Sequence, residues 1–242
     1  MLRFTINKME KLDYRADEAY KRLRSNIQLS GDDIQVVEIT GCVPNNGKTE
    51  IAYNLGVSFA QLGQKVLFID ADLRHSVMVK DFDIEGVEMG LTHYLSGLAA
   101  LEDIVGETNI PNFDMIVAGA VPPNPSELLG GRKFEHLLEL ARESYDYVII
   151  DTPPLASVVD AQVIAGLADG VAVVIEVKSV GYRVAQGVLE DLKATGTQIL
   201  GVVLNKVDFA DKSIYGKYYG AYYGKYYGKY YGKYYGEYYG DK

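Results

Sequence analysis

The stretch ITGCVPNNGKTEIAYNLG, Ile39 to Gly56, decides the fold. It follows the β-branched run IQVVEIT (34–40) and passes through a turn-rich loop to Gly47, Lys48 and Thr49, which open an amphipathic segment running to about Leu62. That order predicts a strand, a loop and a helix. It is the context in which backbone N–H groups and a helix N-terminus cradle phosphate, a lysine reaches the β and γ phosphates, and a threonine holds Mg²⁺. Pro44, Asn45, Asn46, Gly47, Lys48, Thr49 and Glu50 are therefore the candidate nucleotide-binding residues. The spacing is irregular: in G-x-x-x-x-G-K-[ST], Cys42 falls where the first glycine belongs and Gly41 lies one position early. Asn45 and Asn46 occupy positions suited to positive φ, which asparagine tolerates better than most residues.

Outward from the loop, short apolar runs alternate with longer amphipathic segments. The runs are KVLFID (65–70), FDMIVAG (113–119), DYVIID (146–151), VAVVIEV (171–177) and ILGVVLN (199–205). This alternation predicts an α/β fold with a mostly parallel sheet and helices on both faces. Ligands of such sheets bind beyond the carboxyl ends of the strands, so the residues after each run carry the chemistry. Asp70 and Asp72 stand after one run, and Asp151, followed by Pro153 and Pro154, after another. Acids at strand ends commonly cap the next helix. Three of them beside a phosphate loop point instead to a metal ion and a base.

The chain has 242 residues, 48% of them hydrophobic, enough for one large domain with a tail. Its apolar runs are far shorter than a membrane span and its start lacks a signal-peptide pattern, so a cytoplasmic location is expected. The single cysteine, Cys42, excludes a disulfide framework. A net charge of -9 argues against general nucleic-acid binding, but the charge is split. From Tyr215 onward five lysines face Glu237 and Asp241, giving a tail of +3 on a body of -12. That tail, YGKYYGAYYGKYYGKYYGKYYGEYYG, holds thirteen of the twenty tyrosines. Glycines every four residues oppose helix formation and no apolar core backs the segment, so a flexible tail is expected.

GKTEIAYNLGVSFAQLGQKVLFIDADLR, AGAVPPNPSELL, YDYVIIDTPP and GVVLNKVD together resemble the bacterial tyrosine kinases of capsule and exopolysaccharide synthesis. These are autokinases related to the deviant Walker P-loop ATPases, and the likeness runs from about Glu18 to the last residue. It implies an amino-terminal extension (1–17), a kinase domain (18–211) and a tyrosine-cluster tail (212–242). It further implies ATP and Mg²⁺ as cofactors, Walker A at Lys48 and Thr49, Walker A' at Asp70 and Asp72, and Walker B at Asp151. Asn205 is implied at the adenine base. The implied phosphoacceptors are Tyr215, Tyr218, Tyr219, Tyr222, Tyr223, Tyr226, Tyr227, Tyr230, Tyr231, Tyr234, Tyr235, Tyr238 and Tyr239. The assembly motif E-x-x-R-x-x-R is matched by EAYKRLR with Glu18, Lys21 and Arg24, lysine replacing one arginine. By resemblance the protein forms a homo-oligomeric ring, such as an octamer. It would work at the inner face of the membrane only through a membrane-embedded polysaccharide co-polymerase that activates it.

In the mechanism this implies, Lys48 and the loop amides stabilise phosphate charge, Thr49, Asp72 and Asp151 hold Mg²⁺, and Asp70 accepts the tyrosine proton. Spacing alone leaves the roles of Asp70 and Asp72 interchangeable. His75, His93 and His136 are scattered and read as surface or core residues. NKVD (205–208) also fits the guanine-reading N-K-x-D pattern of GTPases. A partitioning-type ATPase and a non-catalytic scaffold with an adhesive tail are the other rival readings. The first lacks a use for the tyrosines, and incubation of the pure protein with labelled ATP or GTP separates all three rivals.

Overall fold

Six fully buried residues, Val36–Gly41, form the strand at the heart of a nine-stranded sheet. This computed structural model describes residues 2–9 and 11–208, so the thirteen tail tyrosines lie outside the described residues. The strands are β1 (Leu2–Ile6), β2 (Val36–Gly41), β3 (Val66–Asp70), β4 (Ile84–Glu85), β5 (Gly106–Thr108), β6 (Phe113–Ile116), β7 (Tyr147–Asp151), β8 (Gly170–Glu176) and β9 (Gln198–Asn205). Their order is β4-β1-β5-β6-β3-β7-β2-β8-β9. From β6 to β9 every pairing is parallel. The β4 and β5 strands each add an antiparallel pairing, to β1 and β6 respectively. Residues up to Asn205 form one compact unit, and β1 within the expected extension is part of its sheet.

Helices α1 (Tyr14–Gln28) and α2 (Lys48–Gln61) cover one face. There Tyr20, Ile27, Leu55 and Phe59 pack on Val37, Ile39, Phe68 and Ile149. The short helix α3 (Met78–Asp81) packs on this same side, with Met78 in that cluster. The other face carries the short helices α4 (Leu91–Leu95) and α5 (Pro125–Leu129), then α6 (Arg132–Ser144), α7 (Asp160–Ala165) and α8 (Tyr182–Ala194). On that side Phe134, Leu137 and Ile164 pack on Leu67, Ile69 and Ile150. Val188 and Leu192 pack on Val171 and Val173. The expected parallel sheet with helices on both faces is thus present. Strand β6 stops at Ile116, short of the expected Gly119, because the next two carbonyls, of Val117 and Ala118, accept the first amides of α4 at 2.7 and 3.0 Å.

Candidate active site

The loop after β2 is built by backbone conformations its sequence allows. Asn45 has φ 64° and Gly47 φ 79°. Asn46 does not join them in the left-handed region; fully buried, it sends its side-chain amide to the Val174 carbonyl of β8 at 3.3 Å. Its own carbonyl accepts the Asn205 amide of β9 at 2.9 Å. The loop is therefore tied to the carboxyl ends of two strands. Pro44, Asn45 and Glu50 are exposed along it. Gly41 also has a reason to stand one position early: a Cβ there would lie 2.9 Å from Lys48 Cδ, so glycine leaves room for the lysine stem. Cys42 is fully buried in the cluster below α7 and α8, and burial pushes its thiol up, away from the reactive thiolate.

Beside the loop, β3 and β7 end in register, Asp70 opposite Asp151. Thr49 Oγ1 donates to Asp151 Oδ2 at 2.5 Å, joining the start of α2 to the end of β7. Asp151 Oδ1 is buried with no hydrogen-bond partner. Burial raises both carboxyls, and the Asp151 charge raises Asp70 further, while Lys48 and Thr49 oppose the rise at Asp151. An unsatisfied carboxylate oxygen among acids that are costly to ionise suits a divalent cation, so Thr49, Asp151 and the nearby Asp72 fit Mg²⁺. Among the described residues no group of three or more His, Cys, Asp or Glu encloses a metal site.

Asp72 also shapes the turn that carries it: its Oδ1 accepts the backbone N–H groups of Arg74 at 3.3 Å and His75 at 2.9 Å. Two positions on, Arg74 forks onto the fully buried Asp160 with bonds of 2.7 and 3.0 Å and reaches Ser126 Oγ at 3.1 Å. The Ser126 hydroxyl donates to Asp160 as well. One cluster thus joins the segments after β3, β6 and β7. Asp160 is held below the usual carboxylate range by Arg74 and Ser126, which outweigh its burial. Sequence reasoning missed this cluster, since its members lie 34 to 86 residues apart.

His75 meets Asp72 through its backbone N–H rather than its ring. His75 and His136 are exposed, and His93 Nδ1 accepts the Gly90 amide at 3.1 Å. On α1, Lys21 pairs with Asp17 at 2.7 Å and Glu18 at 2.9 Å, and Arg24 donates to the Ser58 carbonyl and hydroxyl of α2 at 2.5 and 3.0 Å.

The AAA domain family matches residues 31–199. The tyrosine-protein kinase CpsD of Streptococcus pneumoniae serotype 4 is 42% identical over 203 residues, covering 83% of this chain and 89% of its own. The kinase domain of Escherichia coli tyrosine kinase ETK superposes with a TM-score of 0.74 at 35% identity, over 80% of this chain and 78% of that one. The septum site-determining protein MinD of Pyrococcus horikoshii, complexed with Mg-ADP, superposes with a TM-score of 0.62 at 26% identity, over 71% and 70%.

Proposed function

The chain belongs to the bacterial protein-tyrosine kinases of capsule and exopolysaccharide synthesis, and we propose that it phosphorylates the tyrosine cluster of its own kind, in trans between subunits. The observation that carries this reading is the contact of Thr49 with Asp151, whose second oxygen is buried and unpartnered beside Lys48 and Asp70. Lys48 and the loop amides bind the β and γ phosphates and hold them for in-line attack. Thr49, Asp72 and Asp151 would hold Mg²⁺, which would supply charge neutralisation of the phosphates when bound. Asp70, desolvated and therefore more basic than an exposed carboxylate, takes the tyrosine proton. Asn205, set against the loop by its bond to Asn46, lies at the adenine base.

The acceptors are the tyrosines from Tyr215 to Tyr239. The 28 residues from Tyr215 span about 90–100 Å when fully extended, and their +3 charge is drawn to the -12 body of a neighbouring subunit. Glu18, Lys21 and Arg24 contribute to a ring interface, and a membrane-embedded co-polymerase brings the kinase to the inner face of the membrane. No helix among the described residues is long and apolar enough to cross a membrane itself. The test is labelling of the pure protein with ATP and Mg²⁺. Wild type should gain phosphotyrosine, with Lys48→Met and Asp151→Ala slowed at least about a hundredfold; equal labelling of either variant would overturn the site assignment.

A further inference from the structure

The turn that carries Asp72 is held by bonds of short range. Asp72 Oδ1 accepts the Arg74 and His75 amides, the Leu73 amide meets the Ala71 carbonyl at 3.0 Å, and the Ser76 hydroxyl donates to Asp70. All of these run between residues 70 and 76, so they fix Asp72 within its own turn. The Arg74 guanidinium supplies the long-range polar tie. Its fork onto Asp160, at the start of α7, and its bond to Ser126, in α5, join the turn to two further elements. A bidentate arginine–carboxylate pair fixes direction as well as distance. The Asp160 side chain is 0% exposed and that of Arg74 32%. A charge buried in this way seldom stabilises a fold more than an apolar residue of the same size, so the geometry it holds is what explains it.

We propose that Asp160 is a positioning residue: through the Arg74 fork, completed by Ser126, it holds the turn that directs Asp72 toward Mg²⁺. The inference rests on the reading of Asp72 as a metal ligand. Loss of the fork leaves that ligand in the chain but lets its turn shift, so the ion is held less well while the phosphate loop is untouched. A second fork of the same kind gives the comparison. Arg142 meets Asp169 at 2.7 and 2.8 Å, and Asp169 Oδ2 accepts the Gln35 and Val36 amides at the amino end of β2, the end away from the phosphate loop. That pair has only a structural task.

The experiment uses the full chain. ATP affinity is measured by calorimetry in EDTA and across Mg²⁺ concentrations for wild type, Asp160→Asn, Arg74→Lys, Asp72→Asn and Asp169→Asn, and backbone amide exchange is followed without nucleotide or metal. Asp160→Asn should raise the Mg²⁺ concentration that half-saturates the effect on ATP binding by about ten- to a hundredfold, with affinity in EDTA within about twofold. Arg74→Lys, which keeps the charge but not the fork, should fall between Asp160→Asn and wild type. The Arg74 and His75 amides should exchange at least about tenfold faster in Asp160→Asn. Asp169→Asn should melt earlier than wild type with its Mg²⁺ dependence unchanged. Wild-type Mg²⁺ dependence in Asp160→Asn, beside an impaired Asp72→Asn, would refute the positioning role and keep Asp72 as ligand. Wild-type dependence in Asp72→Asn would remove the ligand reading and the inference with it. An equal Mg²⁺ shift in Asp169→Asn would reduce the effect to general loosening and overturn the proposal. Should Asp160→Asn fail to fold, Ser126→Ala removes one bond to Asp160 and one to Arg74, and unchanged exchange at Arg74 and His75 in that variant would still overturn it.

Discussion

A Cβ placed on Gly47 would lie 2.3 Å from the Asn205 amide nitrogen, and the residue's φ of 79° is already in the region L side chains avoid. Gly47→Ala should therefore both strain the loop and push Asn205 off Asn46, weakening ATP binding at least about tenfold by calorimetry. Binding within twofold of wild type would show that the loop adapts. Glu38 raises a different question, because it is fully buried in the middle of β2 with only Thr152 as partner and one oxygen unsatisfied. Burial pushes its carboxyl from the ordinary 4.5 to about 8, so the folded protein keeps a proton that the unfolded chain loses. Its contribution to stability is complete below about 4.5 and is lost as pH rises through about 8. The melting temperature of Glu38→Gln relative to wild type should accordingly rise between pH 5 and pH 8.5. A difference that stays constant across that range would mean that Glu38 is not held neutral.

At the scale of elements, α2 ends without a basic residue in its last turn. Arg24 supplies one from α1, its guanidinium meeting the Ser58 carbonyl near the end of α2, where carbonyls lack helical partners. Arg24→Ala should cost about 1–3 kcal/mol in urea unfolding, because Ser58 is buried and would lose a charged donor. A change below about 0.5 kcal/mol would show that water replaces the guanidinium. The same contact explains what the sequence concealed. Around EAYKRLR the i, i+3 and i, i+4 pairs of Lys21 with Glu18 and Asp17 follow from spacing, but the Arg24 bond crosses 34 positions. The strands divide the same way. Those buried in the middle of the sheet, such as β3 and β7, are almost continuous apolar runs and were legible. Strands β4 and β5, of two and three residues, contain Glu85, Glu107 and Thr108 and leave no periodicity to read. In the site, Lys48, Thr49 and Asp151 follow from motif spacing. Ser76, Asp160 and the Asn46 side chain act through contacts that only the fold brings together.

For the whole molecule the deciding feature is the division of charge, +3 in the tail against -12 in the body. A tyrosine phosphate adds about -1.5 to -2, so two of them cancel the tail's charge and further ones make it repel neighbouring bodies. An unmodified tail should thus favour association and a heavily phosphorylated one release it. The most direct measurement mixes a full-length Lys48→Met protein, which keeps its acceptors but not its lysine, with an active protein truncated after Asp211. Labelled ATP and Mg²⁺ are added, and phosphate is located by mass spectrometry. Transfer in trans requires label on the tail tyrosines of the Lys48→Met chain, between Tyr215 and Tyr239. An unlabelled tail, with the truncated protein still binding ATP, would contradict it.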